Sequence, residues 1–304
     1  MISESSDPRV WFPYTPRPHQ DEAITHAARV YSQKTVGLLS ADCGVGKTIA
    51  VLTGYFAARA HDAVSKLIVL TRTHSQSEVF EAELDQLKSR AVRMNHSVDI
   101  AVTSMVARMH VCPVRSSLDS VGRTGFLRAC AMHVKSGRCS HFWNFYSRGT
   151  REEGRPQIRE GARMVVEELL RSGVVNRLRA EEYRDDLCPY EILRWCARES
   201  RVIIGPYSYM FKERVRKSLL ASLGVQLHEV DLLVDEAHNL SSHVLDAESA
   251  RISGNDIEWL RQNRASIVSE TGVSWLGEAV DFLWETFMSG IDDMRRGGER
   301  QLQK

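Results

Sequence analysis

The run Ala41-Asp42-Cys43-Gly44-Val45-Gly46-Lys47-Thr48 has the residue types and spacing of a phosphate-binding loop. Its glycines let backbone N–H groups curl around an anion, and a helix opening directly after it adds partial positive charge. Lys47 would reach the outer phosphates, and the Thr48 hydroxyl would ligate Mg²⁺. The pattern is a P-loop with Ala41 in place of the first glycine. An ordinary glycine-rich turn leaves the Lys-Thr pair to chance, so the run predicts a nucleotide site.

A second motif, Asp235-Glu236-Ala237-His238, follows an apolar run over residues 230–234. Paired carboxylates at the tip of a buried strand are costly unless a cation neutralises them. We therefore expect Asp235 to hold Mg²⁺, directly or through water, and Glu236 to polarise the attacking water in phosphoryl transfer. The two motifs support each other and together predict an ATPase.

The elements that must position these motifs alternate along the chain. Apolar runs of strand length lie at residues 36–40, 67–71, 98–102, 201–205 and 230–234. Helical patterns cover residues 21–31, 77–89, 157–178, 191–199 and 209–223. This alternation predicts an α/β fold with a parallel sheet, in which ligands bind at the carboxyl ends of the strands.

Further polar groups lie at or near this expected edge. Residues 72–76 follow one strand and Ser104 follows another, and their side chains suit phosphate and sugar contacts from a nucleic-acid backbone. Loop capping would explain each of them singly. Before the P-loop, a segment with three prolines ends in Gln20, whose amide could meet a purine edge. A surface loop is the simpler alternative there.

Charge is nearly balanced over the whole chain, with 40 basic and 39 acidic residues, so net charge indicates no partner. Residues 108–151 differ, because they carry a single acid, Asp119, and eight bases: Arg108, Arg115, Arg123, Arg128, Lys135, Arg138, Arg148 and Arg151. The aromatic stretch at residues 141–146 lies inside this basic segment. Aromatic faces beside positive charge bind single-stranded nucleic acid. A small local core covering a metal site explains the aromatics equally well.

Three cysteines, Cys112, Cys130 and Cys139, fall in this segment, and a fourth, Cys188, lies further along the chain before Pro189. They lack the close C-x₂₋₄-C pairs of zinc ribbons and are compatible with the Cys₄ ligation of an iron–sulfur cluster. Spacing alone does not identify the metal, and a protein without any metal stays an alternative. Cys196 is most simply a packing residue, and Cys43 needs no ligand role within the phosphate loop.

No apolar run approaches the roughly 18 residues of a membrane-spanning helix, and the first residues lack a signal-peptide pattern. A soluble intracellular protein without membrane partners is the default expectation. Residues 246–304 show only amphipathic helix, in which the spacing of Trp, Leu and Phe is typical of a core.

With these features in place, the chain resembles the XPD branch of the superfamily 2 DNA helicases, the iron–sulfur group that also contains the FancJ and DinG proteins. The resemblance runs from about Phe12 to Leu240. It rests on residues 17–20, the P-loop, residues 71–76, residues 107–112, the four cysteines with Pro189 and Tyr190, and residues 234–240.

The resemblance implies a RecA-like motor domain at residues 1–105 and 191–246, an iron–sulfur insertion at 106–190, and the start of a helical arch at 247–304. It implies a [4Fe–4S] cluster on Cys112, Cys130, Cys139 and Cys188, and ATP with Mg²⁺ as cofactors. Arg17 and Gln20 would belong to the adenine-side motif, and His238 would couple hydrolysis to movement. The path of single-stranded DNA would run along Arg72, Thr73, His74, Ser75, Gln76, Ser104 and Arg108.

The implied function is a monomeric, ATP-dependent, 5′-to-3′ DNA helicase of the repair type, acting on single strands and forks. It would be nuclear in a eukaryote and cytoplasmic, near the nucleoid, in a prokaryote. Family members continue into a second motor domain, and no motif after Asn239 supplies its arginines. Their loss would reduce turnover by about 10³ or more. We therefore expect the first half of such a motor, completed in cis or in trans.

Two alternatives follow from this departure. The chain could bind nucleotide and single-stranded DNA without turnover of its own. It could also be a metal- or redox-sensing DNA-binding protein with a vestigial P-loop, against which the intact Lys47, Thr48, Asp235 and Glu236 argue.

Overall fold

A computed structural model describes residues 7–42, 44–59, 62, 66–95, 100–118, 122–147, 157–249 and 254–302. Cys43 and residues 98 and 99 therefore lie outside the described residues, as do Asp119, Arg148 and Arg151 of the basic segment. The chain divides into two compact units, Met1–Ala247 and Glu248–Lys304. Among the described helices, none has the length and apolar character needed to cross a membrane.

The first unit contains a four-stranded sheet and a separate two-stranded one. The strands are β1 (Lys66–Thr71), β2 (Val102–Ser104), β3 (Tyr146–Ser147), β4 (Gln157–Ile158), β5 (Val202–Pro206) and β6 (Val230–Val234). The larger sheet has the order β2-β5-β1-β6, and every neighbouring pair in it is parallel. In its register Leu67 lies between Val202 and Asp231. The smaller sheet pairs β3 with β4 antiparallel.

Helices flank the sheet and fill the insertion between β2 and β5. The helices up to the end of the first unit are α1 (Gln20–Gln33), α2 (Lys47–Arg59), α3 (His74–Arg93), α4 (Arg108–Val111), α5 (Gly122–Lys135), α6 (Ser140–Phe145), α7 (Glu160–Ser172), α8 (Arg177–Glu181), α9 (Pro189–Glu199), α10 (Ser208–Phe211), α11 (Glu213–Leu223) and α12 (Leu240–Glu248). The second unit contains α13 (Gly254–Gln262), α14 (Arg264–Thr271) and α15 (Trp275–Leu302).

Alternate residues of the central strand β1 pack on opposite faces of the sheet, as a period of two requires. Leu67 and Val69 join one buried core with residues of α1, α2 and α3. Ile68 and Leu70 join a second buried core with residues of α7, α9 and α11. Burial on both faces explains why β1 is continuously apolar. The three-layer arrangement confirms the predicted α/β fold with a parallel sheet.

The predicted strand at residues 36–40 is wrong. This segment is irregular, with Val36 94% and Leu38 84% exposed. The chain leaves α1 through Lys34 in a left-handed conformation, and Gly37 passes so close to Val30 that a Cβ there would lie 2.5 Å from Val30 Cγ2. An apolar run becomes a strand only where a neighbouring strand accepts its backbone hydrogen bonds. Among the described strands, none pairs with this segment.

Strand β6 forms where it was predicted but is not buried. It pairs with β1 alone among the described strands, and Leu232 is 39% exposed. This apolar run therefore forms an edge strand of the sheet rather than a buried central one. The run predicted at residues 98–102 contributes a shorter strand, β2, which is shifted towards its carboxyl end.

Two predicted helices are interrupted. The pattern over residues 157–178 contains β4 and α7, and α7 ends at Gly173, whose φ of +140° suits glycine. The pattern over residues 209–223 is divided by Lys212, which is extended between α10 and α11. The helical spacing of apolar residues does not reveal either break, because each break depends on the backbone conformation of a single residue. The helices predicted at 21–31 and 191–199 are confirmed by α1 and α9.

The second unit is helical. Arg261 lies 4.4 Å from the centre of the Trp284 ring, and Arg264 forms a 2.8 Å ion pair with Asp281. The expectation that its aromatics form a core is only partly correct. Trp284 and Phe287 are partly buried, whereas Trp259, Trp275 and Phe282 are more than half exposed.

Candidate nucleotide site and cysteine cavity

The P-loop has the backbone conformation that its glycines predicted. Gly44 and Gly46 have φ values of +81° and +80°, in the left-handed region that favours glycine. Helix α2 begins at Lys47, so Thr48 lies in its first turn. The Lys47 ammonium donates hydrogen bonds to the carbonyls of Ala41 (2.6 Å) and Asp42 (3.0 Å). The charged end of Lys47 is therefore held by the loop itself.

Arg17 and Gln20 brace this loop from the preceding segment. Arg17 Nη1 donates to the Gly44 carbonyl and Gln20 Nε2 to the Val45 carbonyl, both at 2.7 Å. The side-chain oxygen of Gln20, Oε1, accepts a hydrogen bond from the Arg17 backbone N–H at 2.7 Å, and Gln20 is buried. Both ends of the Gln20 amide, which was predicted to meet a purine edge, are thus engaged within the protein.

The carboxylate pair follows β6 in a strained turn. The Asp235 N–H donates to the Leu70 carbonyl at 2.9 Å, which extends the ladder between β6 and β1. Glu236 has φ +49° and ψ +46°, a left-handed conformation that a non-glycine residue rarely adopts. The buried Tyr207 donates its hydroxyl to the carbonyls of both Asp235 and Glu236. Sequence reasoning missed Tyr207, since only the fold brings the end of β5 near this turn.

The carboxylate pair and the P-loop lysine act on each other electrostatically. Burial raises the pKa of Asp235 above its ordinary value, and the charge of Glu236 raises it further. The Glu236 backbone N–H and the Lys47 charge both lower the pKa of Asp235. The Lys47 charge thus acts on the carboxyl group that directly follows β6. Thr48 and Asp235 are the side chains that could hold Mg²⁺.

A chain of polar contacts leads from this turn to the end of β1. The Glu236 carboxylate lies 3.2 Å from His238 Nδ1, and Asn239 Nδ2 lies 2.9 Å from His238 Nε2. Asn239 Oδ1 in turn accepts from Arg72 Nη1 at 3.1 Å. The chain connects a predicted catalytic residue, Glu236, with a predicted DNA-contacting residue, Arg72.

The other predicted DNA-contacting residues differ in exposure. Thr73 caps α3 and forms a reciprocal capping box with Gln76. His74, in the first turn of α3, is exposed, and its ring meets that of His110 edge-on at 6.3 Å. Ser104 is buried. Only part of this predicted path is therefore on the surface.

The four cysteines line one small cavity that is partly open to solvent. The cavity is lined by Arg108, Cys112, Pro113, Val114, Leu118, Cys130, His133, Val134, Cys139, His141, Phe142 and Cys188. Burial raises the pKa of the Cys112 and Cys139 thiols, and that of Cys188 to about 12. Among the described residues, no three His, Cys, Asp or Glu side chains form a ready-made coordination group. The cysteines thus share a cavity without being drawn together at its centre.

Arg108, predicted to contact DNA, lies against this cavity. Its Nη1 is 3.5 Å from Cys130 Sγ, and its Nη2 donates to Glu191 Oε1 at 2.9 Å. Glu191 is completely buried and also accepts from the Tyr146 hydroxyl (2.8 Å) and Arg194 Nη1 (3.3 Å). Sequence reasoning missed Glu191, although its place in the first turn of α9, three residues after Cys188, was a signal.

The aromatic stretch forms a small core in this region. Phe145 and Tyr146 are buried, and the Phe142 ring, which lines the cavity, lies 4.8 Å from that of Tyr146. These rings are packed, which favours the local-core alternative over a base-stacking surface. Cys196 is buried in the adjoining core, as predicted.

Comparison with known proteins identifies a family and several relatives. The DEAD_2 family model matches residues 69–257. A regulator of telomere elongation helicase 1 homolog of Anopheles gambiae is 22% identical over 88% of this chain and 29% of its own length. The general transcription and DNA repair factor IIH helicase subunit XPD of Arabidopsis thaliana is 27% identical over 89% of this chain and 36% of its own length.

A solved structure described as an XPD helicase matches 82% of this chain and 37% of its own, with a TM-score of 0.50 and 18% identity, which is a likeness of fold. The chain thus spans about a third of the length of these relatives. The family model covers more than half of the chain, which therefore belongs to the DEAD_2 family, and its resemblance to the amino-terminal portion of XPD-type superfamily 2 helicases is confirmed.

Proposed function

We propose that this chain is the nucleotide-binding portion of an ATP-dependent DNA helicase that couples ATP hydrolysis to movement along single-stranded DNA. The relatives named as helicases support the proposal, and the resemblance implies a polarity of 5′ to 3′. We assign the motor domain to residues 1–105 and 191–246, the insertion to 106–190 and the arch to 247–304.

The observation that carries the proposal is the local geometry of the two motifs: the P-loop glycines have φ values near +80° directly before α2, and the Asp235 N–H bonds the Leu70 carbonyl directly after β6. A P-loop lysine and a carboxylate pair at one end of a parallel sheet are the parts that phosphoryl transfer requires. Thr48 and Asp235 would hold Mg²⁺, which would neutralise charge on the phosphates. Lys47 would leave the Ala41 and Asp42 carbonyls to reach those phosphates, and Glu236 would orient the attacking water.

Single-stranded DNA is the proposed partner of the surface formed by Arg72, Thr73 and His74. Cationic and hydroxyl side chains suit phosphate contacts. The path from Arg72 through Asn239 and His238 to Glu236 supports a coupling of DNA binding to hydrolysis. Ser104 and Arg108 stay predictions as DNA contacts, and their side chains would have to be uncovered or turned.

We further propose that Cys112, Cys130, Cys139 and Cys188 hold a [4Fe–4S] cluster. Four thiols around one cavity match the donor set of such a cluster, which would supply a rigid, redox-active cross-link when bound. Buried thiols with raised pKa values lose their protons when a metal binds. The Arg108 guanidinium beside Cys130 would offset part of the resulting negative charge.

The deciding experiment measures ATP hydrolysis by the purified chain, prepared without oxygen, with and without single-stranded DNA. Hydrolysis that DNA stimulates, and that Lys47→Ala abolishes, would support the helicase motor. Full hydrolysis by Lys47→Ala would refute the P-loop assignment. Nucleotide and DNA binding without turnover would favour the alternative of a binding module that a second motor domain completes.

The cluster is tested separately by iron, sulfide and visible absorbance. Cys188→Ser should lose iron and absorbance while the motor sheet stays folded. Cys196→Ser is the matched control, since Cys196 is buried in the adjoining core and does not line the cavity. Unchanged iron in Cys188→Ser would remove Cys188 from the ligand set.

A further inference from the structure

His141 lies between two of the proposed cluster ligands. It follows Cys139 by two residues, and its carbonyl accepts the Cys188 N–H at 3.1 Å. His141 lines the same cavity as the four cysteines. The backbone of His141 thus joins the chain segments of Cys139 and Cys188 at the wall of this cavity.

The Nδ1 atom of this ring is buried and has no hydrogen-bond partner among the described residues. A buried ring nitrogen left unpaired destabilises the folded state, so native proteins nearly always pair such atoms. Pro113, Val114, Leu118 and Phe142 form much of the cavity wall, and their side chains offer no hydrogen-bond acceptor. An occupant of the cavity that accepts a hydrogen bond would remove this cost.

We propose that the Nδ1–H of His141 donates a hydrogen bond to a sulfur of the iron–sulfur cluster and thereby sets its reduction potential. The inference rests on the proposed cluster and makes His141 a positioning residue rather than a ligand. The neutral imidazole tautomer with its proton on Nδ1 is a donor, and the sulfurs of a cluster are acceptors. Reduction adds negative charge to the cluster, so an N–H donor favours the reduced state and raises the potential.

The test uses the full chain, purified without oxygen, with His141→Phe as the main variant. His133→Phe is the matched control, because His133 lines the same cavity but has no buried unpaired nitrogen. His141→Gln supplies an amide donor in place of the ring. Iron and sulfide contents, and the reduction potential from an electron paramagnetic resonance titration, are measured for all four proteins.

We expect equal iron in all four proteins, a more negative potential in His141→Phe, no shift in His133→Phe and partial recovery in His141→Gln. An unchanged potential in His141→Phe would overturn the inference while leaving the cluster in place. Absence of iron from the wild-type chain would overturn the cluster and this inference together.

A spectroscopic measurement on the wild-type chain does not depend on whether His141→Phe holds the cluster. Wild-type chain with ¹⁵N-labelled histidine should show a weak ¹⁵N hyperfine coupling to the reduced cluster, and His133→Phe should retain it. No coupling would contradict the hydrogen bond. A strong coupling, together with loss of iron from His141→Phe, would make His141 a ligand and would also contradict the proposal.

Discussion

Asn239 Oδ1 accepts a hydrogen bond of 3.1 Å from Arg72 Nη1, and this contact joins the segment after the carboxylate pair to the end of β1. The two residues are 167 positions apart in the chain. Asn239 also contacts His238, which contacts Glu236. Of the contacts described, this one relates the proposed DNA surface most directly to the proposed hydrolytic site.

Replacing Asn239 by alanine should weaken the coupling between DNA binding and ATP hydrolysis. A single hydrogen bond contributes about 0.5–1.5 kcal/mol, so the stimulation of ATP hydrolysis by single-stranded DNA should fall roughly 3- to 10-fold. The measurement is the ratio of rates with and without DNA. Ser242→Ala is the control, because Ser242 lies on the same turn and bonds only the Asn239 carbonyl in the contacts described. An unchanged ratio in Asn239→Ala would exclude this coupling route.

Tyr207→Phe should impair hydrolysis without unfolding the sheet. The variant keeps the buried ring and loses the hydroxyl that supports the strained Glu236 turn. We expect turnover to fall about 10-fold with little change in KM for ATP, since a loss of 1.4 kcal/mol is tenfold. Tyr209→Phe removes a neighbouring hydroxyl that bonds the Val106 carbonyl at 3.4 Å, and should retain turnover. Equal turnover in both variants would contradict a positioning role for Tyr207.

Asp235→Asn should make the fold more stable while removing Mg²⁺-dependent nucleotide binding. Burial and the Glu236 charge raise the pKa of Asp235 in the folded state. The folded state therefore binds this proton more tightly than the unfolded chain, and stability falls as pH rises through that pKa. At neutral pH the ionised carboxylate is destabilising, so the neutral amide should raise the thermal midpoint.

Asp231→Asn, on the strand that precedes Asp235, should lower the thermal midpoint instead. Asp231 accepts from Arg59 Nε at 2.9 Å, and both side chains are largely buried. Breaking a buried pair from one side costs about 3 kcal/mol or more. A lower thermal midpoint in Asp235→Asn than in wild type would contradict the assigned direction of its pKa shift.

Gly46→Ala should abolish nucleotide binding and destabilise the chain. Gly46 has φ +80°, and a Cβ there would collide with Gln20 Nε2, which braces the loop. Gly224 is the matched control, because its φ is +70° and a Cβ added there would have no atom within 4 Å. Gly224→Ala should show only the left-handed backbone cost of about 1–2 kcal/mol in urea unfolding. Equal losses in the two variants would mean that Gln20 does not constrain the loop.

Glu191→Gln should destabilise the cysteine region. It removes the charge that pairs Arg108 in a site where Glu191 is completely buried, which costs about 3–5 kcal/mol when one partner of a buried pair is lost. Arg194→Ala removes a partly exposed partner of the same carboxylate and should cost about 1 kcal/mol or less. Urea unfolding of both variants is the measurement. A small effect of Glu191→Gln would show that Arg108 does not depend on this carboxylate.

The sequence by itself determined the residues that carry chemistry and the type of element around them. The positions of Gly44 and Gly46 predict a left-handed backbone in the loop before Lys47 and Thr48, because few residues other than glycine accept that conformation. The alternation of Leu67, Ile68, Val69 and Leu70 between two cores follows from the period of a strand. These features are local, so they can be recognised in the chain without its fold.

The tertiary structure decided which distant groups meet. Tyr207 reaches the Glu236 turn, Arg108 bonds Glu191, and His141 lines one cavity with the four cysteines only because strands and helices far apart in sequence pack together. The same holds for residues 36–40, whose apolar pattern predicts a strand that the structure does not form. Pairing, burial and ion-pair partners are properties of the neighbours, and the neighbours are set by the path of the whole chain.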